Sequence, residues 1–105
     1  MKVGVSATGG SMDAQVEPRF GRCPYFLVVD LETMKFEAVH NSASGNASGA
    51  GTQTALAFQQ RGAEVVLTGH VGPKAQQALE AAGLKVVTDV SGRVRDAVEA
   101  YKAGS

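Results

Sequence analysis

Glu64-Val65-Val66-Leu67-Thr68-Gly69-His70-Val71-Gly72-Pro73 is the stretch that decides the fold. Val65, Val66 and Leu67 form a short apolar run of strand length and β-branched composition. Gly69 and Gly72 punctuate a turn. Pro73 then suits the first position of a helix, where a missing N–H leaves no bond unmade. Ala75, Ala78, Leu79 and Ala82 follow at i, i+3, i+4 and i+7, one apolar helical face, and Gly83 supplies the stop. Leu84 to Thr88 reads as the next strand. Val94, Ala97, Val98 and Tyr101 repeat the helical spacing in a final helix closed by Gly104. Successive strand–helix units favour a parallel sheet with right-handed crossovers.

Upstream, Val3 and Val5 alternate with Lys2, Gly4 and Ser6, so residues 2–6 read as a first strand. Gly4 inside it implies close approach by another backbone element. Residues 7–24 form a long irregular loop, of a length that in small domains accompanies function or disorder. Tyr25 to Val29 is near-continuously apolar and reads as a strand buried on both faces. Asp30 to Thr33 suits a hairpin turn, and Met34 to His40 a third strand. Residues 41–52 are charge-free and low in complexity. They fit a loop within one domain spanning residues 1–105 better than a linker, because the flanking halves are too small to stand alone. A helix follows from about Thr52 to Arg61, stopped by Gly62.

The resulting order is β-β-β-α-β-α-β-α. With the second strand antiparallel between the first and third, the carboxyl ends of the other four strands share one rim with its amino end. Residues 7–24, 41–52, 68–73 and 88–93 meet on that rim, where open α/β sheets take their ligands.

Composition narrows the classes of function. In 105 residues, 44% are hydrophobic and 19% charged, with formal net charge zero. Nucleic-acid binding lacks its basic excess. No apolar run approaches the length of a membrane span, and Met1 to Ser6 does not read as a signal peptide. A single cysteine cannot form an internal disulfide and fits a cytoplasmic protein.

The rim carries one unusual segment, Val16-Glu17-Pro18-Arg19-Phe20-Gly21-Arg22-Cys23-Pro24-Tyr25-Phe26. Arg19 and Arg22 offer guanidinium groups to an anion. Cys23 has two readings: a soft ligand for iron or an iron–sulfur cluster, its pKa lowered by nearby arginines, or a small buried apolar side chain. His70 could ligate metal or bond an anion, and otherwise is an exposed loop residue. His40 reads as a partly exposed strand-end histidine ahead of a metal ligand, and Met12 as a mobile loop methionine ahead of a soft thioether donor. Gly69 and Gly72 give a ligand access to backbone at a helix start, and Ser11 lies on the same rim. No Walker A lysine precedes Thr52, no dinucleotide glycine pattern follows the first strand, and the carboxylates are too scattered for two-metal hydrolysis.

The Arg19-Phe20-Gly21-Arg22 turn and the Gly69-to-Pro73 turn, with Tyr101 to Gly104 at the end of the last helix, make the chain resemble the dinitrogenase iron–molybdenum cofactor biosynthesis family of NifX-like and NifB C-terminal domains. The resemblance covers essentially the whole chain. It implies a three-layer α/β/α fold with a ribonuclease H-like motif and three helices. Its sheet would be five-stranded and mixed, of order 3-2-1-4-5. It does not imply nuclease activity. Arg19 stands where the family often has histidine, and a guanidinium cannot ligate metal.

These readings combine into a non-enzymatic protein that binds or carries an iron–sulfur or iron–molybdenum-type cluster, transiently, with a cofactor-assembly protein as partner. Arg19, Arg22, Gly69, Gly72 and Ser11 would contact the cofactor; Cys23 and His70 would ligate metal. The alternative is a metal-free module for a small anion or phosphorylated metabolite. An enzyme using an activated Cys23 and a purely structural interaction domain are further alternatives.

Overall fold

Val65, Val66 and Leu67 occupy a strand buried on both faces, and the rest of the sheet is arranged around it. The computed structural model describes residues 1–41 and 50–104. The elements are β1 (Lys2–Ala7), β2 (Tyr25–Asp30), β3 (Phe36–His40), α1 (Ala50–Gln60), β4 (Ala63–Leu67), α2 (Pro73–Ala81), β5 (Lys85–Val87) and α3 (Val94–Gly104), with a single 3-10 turn at Phe20–Arg22. The sheet order is β3-β2-β1-β4-β5. β2 is antiparallel to both neighbours, and β4 is parallel to β1 and β5. This is the mixed sheet expected above.

Strand alternation sorts the side chains into two apolar layers. Val3, Val5, Leu27, Val29, Val65 and Leu67 pack on one side with Val94 and Val98 of α3. Phe26, Val28 and Val66 pack on the other with Ala55 and Phe58 of α1 and Ala75 and Leu79 of α2. The apolar spacing read in α2 and α3 is thus the face that meets the sheet, and the layers are α/β/α.

Gly4 has a different reason from the one its position suggests. A Cβ there would fall inside the ring of Phe58, so the element crossing β1 is an aromatic side chain and not backbone. Phe58 also stacks on Phe20, with centroids 5.7 Å apart, and tilts against Phe26 at 4.4 Å. This trio clamps α1 and the 3-10 turn to the sheet.

Element ends differ from expectation where local bonds intervene. β3 begins at Phe36 and not Met34, because Met34 donates its N–H to the Asp30 carbonyl at 2.7 Å and takes a positive φ of 60°. The hairpin turn is therefore wider than Asp30 to Thr33. Thr68 lies just beyond β4, where its N–H bonds the Val87 carbonyl at 3.0 Å.

Candidate functional site on the carboxyl rim

Because β2 alone runs against the others, Ala7, His40, Leu67 and Val87 end their strands on the rim where Tyr25 begins. The long segment after β1 is fastened there at two places. Residues 12–16 lie over the start of α3: Val16 N–H bonds the Gly92 carbonyl, while Val94 and Arg95 donate to the carbonyls of Ala14 and Met12. Met12 is 3% exposed and packs in the core, which corrects the reading of a mobile loop methionine. Ser11 belongs to this arch. Its exposed hydroxyl accepts the Asp13 N–H at 3.2 Å, so it serves a local turn.

Residues 17–20 lie instead against the β4–α2 turn. His70 N–H donates to the Pro18 carbonyl at 2.6 Å, and Phe20 N–H donates to the His70 carbonyl at 3.1 Å. These two bonds make Arg19 and His70 a parallel bridge pair. Both side chains are exposed. Gly69 permits the approach: a Cβ on it would stand 2.7 Å from the Pro18 Cα and carbonyl oxygen. Beneath the bridge, Ser6 donates its hydroxyl proton to the Glu17 carbonyl at 2.8 Å and meets the Thr68 hydroxyl at 2.7 Å.

Arg19 and Arg22 on one segment, and His70 in the β4–α2 turn with Lys74 in the first turn of α2, are all exposed. Gly72 caps α2 without a side-chain bond, and Pro73 occupies the first turn. The start of α2 thus carries no side-chain cap, and its dipole favours negative charge there. The Glu17 carboxylate lies beside Arg19, with Oε1 4.0 Å from its guanidinium.

Cys23 is not on this surface. It is 0% exposed, among Phe20, Phe26 and Phe58. The side-chain amide of Asn41 donates to its carbonyl at 2.8 Å and to its Sγ at 3.5 Å, and also bonds Thr54. Burial pushes the thiol up to about 11, only partly offset by the bonds from Asn41 and the Ala7 backbone. A cluster ligand must be a thiolate with an open approach. The expectation of a metal-ligating Cys23 with a lowered pKa is therefore corrected: it takes the alternative role of a small buried side chain. The physical cause is the 3-10 turn, which sends Phe20 inward, Arg22 outward and Cys23 inward again.

His40 ends β3 with its ring edge-on to Tyr25, centroids 5.3 Å apart. Among the described residues, no three histidine, cysteine or carboxylate side chains gather in a way that could hold a metal ion. Of the residues expected to act, the structure brings Arg19, Gly69 and His70 into contact, sets Arg22 and Gly72 at the ends of the same two segments, and separates Ser11 and Cys23 from them. The expectation for residues 42–49 lies outside the described residues. Sequence reasoning missed Glu17, Lys74 and Asn41. The acid beside Pro18-Arg19 and the lysine directly after Pro73 were visible signals, whereas Asn41 gave none.

The chain is similar over its whole length to known proteins. A family model described as dinitrogenase iron-molybdenum cofactor matches residues 1–104. The apo form of the orange protein from Desulfovibrio gigas superposes with a TM-score of 0.94 at 47% identity, over 98% of this chain and 88% of that one. A Thermotoga protein described as a candidate NifB protein of the DUF35 family, solved by NMR, gives 0.85 at 31% identity over 98% of this chain and 88% of that one. An uncharacterized protein of Methanocaldococcus jannaschii is 25% identical over 93 residues, 86% of this chain and 79% of its own length.

Proposed function

We propose that this chain, which belongs to the dinitrogenase iron-molybdenum cofactor family, binds a preformed anionic metal–sulfur cluster or its precursor without covalent ligation and carries it. The cargo is an iron–sulfur or iron–molybdenum-type cluster, and the contact surface is the sector of Arg19, Arg22, His70 and Lys74. The observation that carries the reading is the Arg19–His70 bridge pair, which fixes two nitrogen-rich side chains side by side and exposed.

The donor set fits a cargo that brings its own ligands. The described residues offer no metal-holding group, and the single thiol is buried and protonated at neutral pH. Guanidinium and ammonium groups bond strongly to anionic acceptors but do not coordinate metal. Such a site takes up a charged cluster whole and releases it whole, which suits delivery to an assembly partner and requires no catalysis. That the orange protein has a described apo form supports a removable group in this family.

Anaerobic incubation with iron, sulfide and molybdate, followed by gel filtration, metal analysis and visible absorption, tests the reading. Coloured, metal-bearing protein is expected, with binding that weakens as salt rises. A colourless, metal-free product would remove the cluster reading. If phosphorylated metabolites nonetheless stabilised that product against heat through Arg19, the metal-free anion module would replace it.

A further inference from the structure

We infer that Glu17 is a built-in counter-ion of Arg19, holding its guanidinium until an incoming anion displaces the carboxylate. This rests on the anion-binding reading of the same sector and adds how the site is kept when empty. The two residues differ in how they are held. The Glu17 backbone is fixed on both sides, its N–H to the Ser6 carbonyl at 2.9 Å and its carbonyl to the Ser6 hydroxyl. Its carboxylate is largely sheltered, with side-chain exposure of 15% against 72% for Arg19. One oxygen, Oε2, accepts the Arg19 backbone N–H at 3.5 Å, and the other, Oε1, faces the guanidinium at 4.0 Å.

The acid is thus set in the frame, while the cation is anchored only at its backbone and reaches into solvent. An ion pair with that geometry is weak, because water competes for the exposed partner. It is also the only carboxylate paired with Arg19 among the described residues. An anion with several negative oxygens or sulfurs can offer the guanidinium two parallel bonds, which the distant Glu17 carboxylate does not. Arg19 then swings to the ligand, and Glu17 keeps its bond to the backbone N–H. The carboxylate lowers affinity for every anion by the same modest factor, so abundant small anions occupy the empty guanidinium less.

The test is a double-mutant cycle of Glu17→Gln and Arg19→Gln, with inorganic pyrophosphate as the probe and calorimetric titration as the readout. Glutamine at 17 retains an oxygen for the Arg19 N–H, so the frame is kept. Glu17→Gln is expected to tighten binding about two- to fivefold, the scale of one exposed ion pair, and the gain should vanish in the Arg19→Gln background. Equal affinity of wild type and Glu17→Gln, or a gain that persists without Arg19, overturns the counter-ion while the anion site stands. Pyrophosphate binding that ignores Arg19→Gln, or no binding by any variant, overturns the site and the counter-ion together.

Discussion

The hydroxyls of Ser6 and Thr68 lie 2.7 Å apart although 62 positions separate them in sequence. Ser6 ends its bond chain on the Glu17 carbonyl, and Thr68 begins the turn that carries Gly69 and His70. One buried contact thus joins β1, the arginine-bearing segment and the β4–α2 turn.

Removing the two hydroxyls should have unequal costs. Ser6→Ala strands both the Thr68 hydroxyl and the Glu17 carbonyl, whereas Thr68→Val leaves Ser6 its bond to Glu17. Ser6→Ala is expected to destabilise by about 1–3 kcal/mol, and Thr68→Val by less. Urea unfolding of the single and double variants checks this; a double variant costing the full sum of the singles would deny the coupling.

Gly69→Ala should disturb the site more than its size suggests. The added methyl would stand 2.7 Å from Pro18 backbone atoms, which cannot rotate away. Overpacking of this kind costs about 1–3 kcal/mol, and here it pries Arg19 from His70. A fall in melting temperature together with weaker anion binding is expected. Unchanged binding would show that the bridge does not shape the site.

Cys23 should behave as a sealed thiol. With its pKa at about 11, it should alkylate slowly at pH 7–8 in the folded protein and fast in denaturant. Its folded pKa lies above the ordinary thiol value of 9.0, so its contribution to stability is complete below about pH 9 and is lost as pH rises through about 11. Comparing the alkaline unfolding of wild type and Cys23→Ala isolates this part. Wild type should lose more stability than the variant across that window, and parallel curves would refute the assignment.

Phe58→Ala should be more damaging than the changes at Ser6, Thr68, Gly69 or Cys23. The ring fills the space above Gly4 and touches Phe20 and Phe26. A loss of about 3–5 kcal/mol is expected from such a deletion, measured by chemical denaturation. A loss below about 1 kcal/mol would mean that the aromatic trio does not hold α1 to the sheet.

How much of this was legible in the sequence depends on the range of the interaction. The β4–α2 unit followed from local signals, an apolar triplet, two glycines and a proline, and the antiparallel pairing of β2 with β3 followed from the short hairpin turn between them. Gly4 announced a close contact, but nothing local says which helix crosses the strand, and Phe58 lies 54 positions away in sequence. Cys23 was open to two readings because a turn rich in arginine and proline resembles a surface. The three-residue offset from Phe20 to Cys23 was the signal that both point inward, and it becomes decisive only once the 3-10 turn is known. The Arg19–His70 pairing was out of reach altogether. It needs two loops to lie in register, and that register is set by buried hydroxyls and a missing Cβ rather than by any local pattern.

Metal retention by two variants, after anaerobic loading with iron, sulfide and molybdate and gel filtration, tests the central claim most directly. Cys23→Ala should keep the wild-type amount of metal and colour, because the sulfur takes no part, while Arg19→Gln should lose most of both. Loss of metal in Cys23→Ala with full retention in Arg19→Gln would contradict non-covalent capture by the exposed cationic sector.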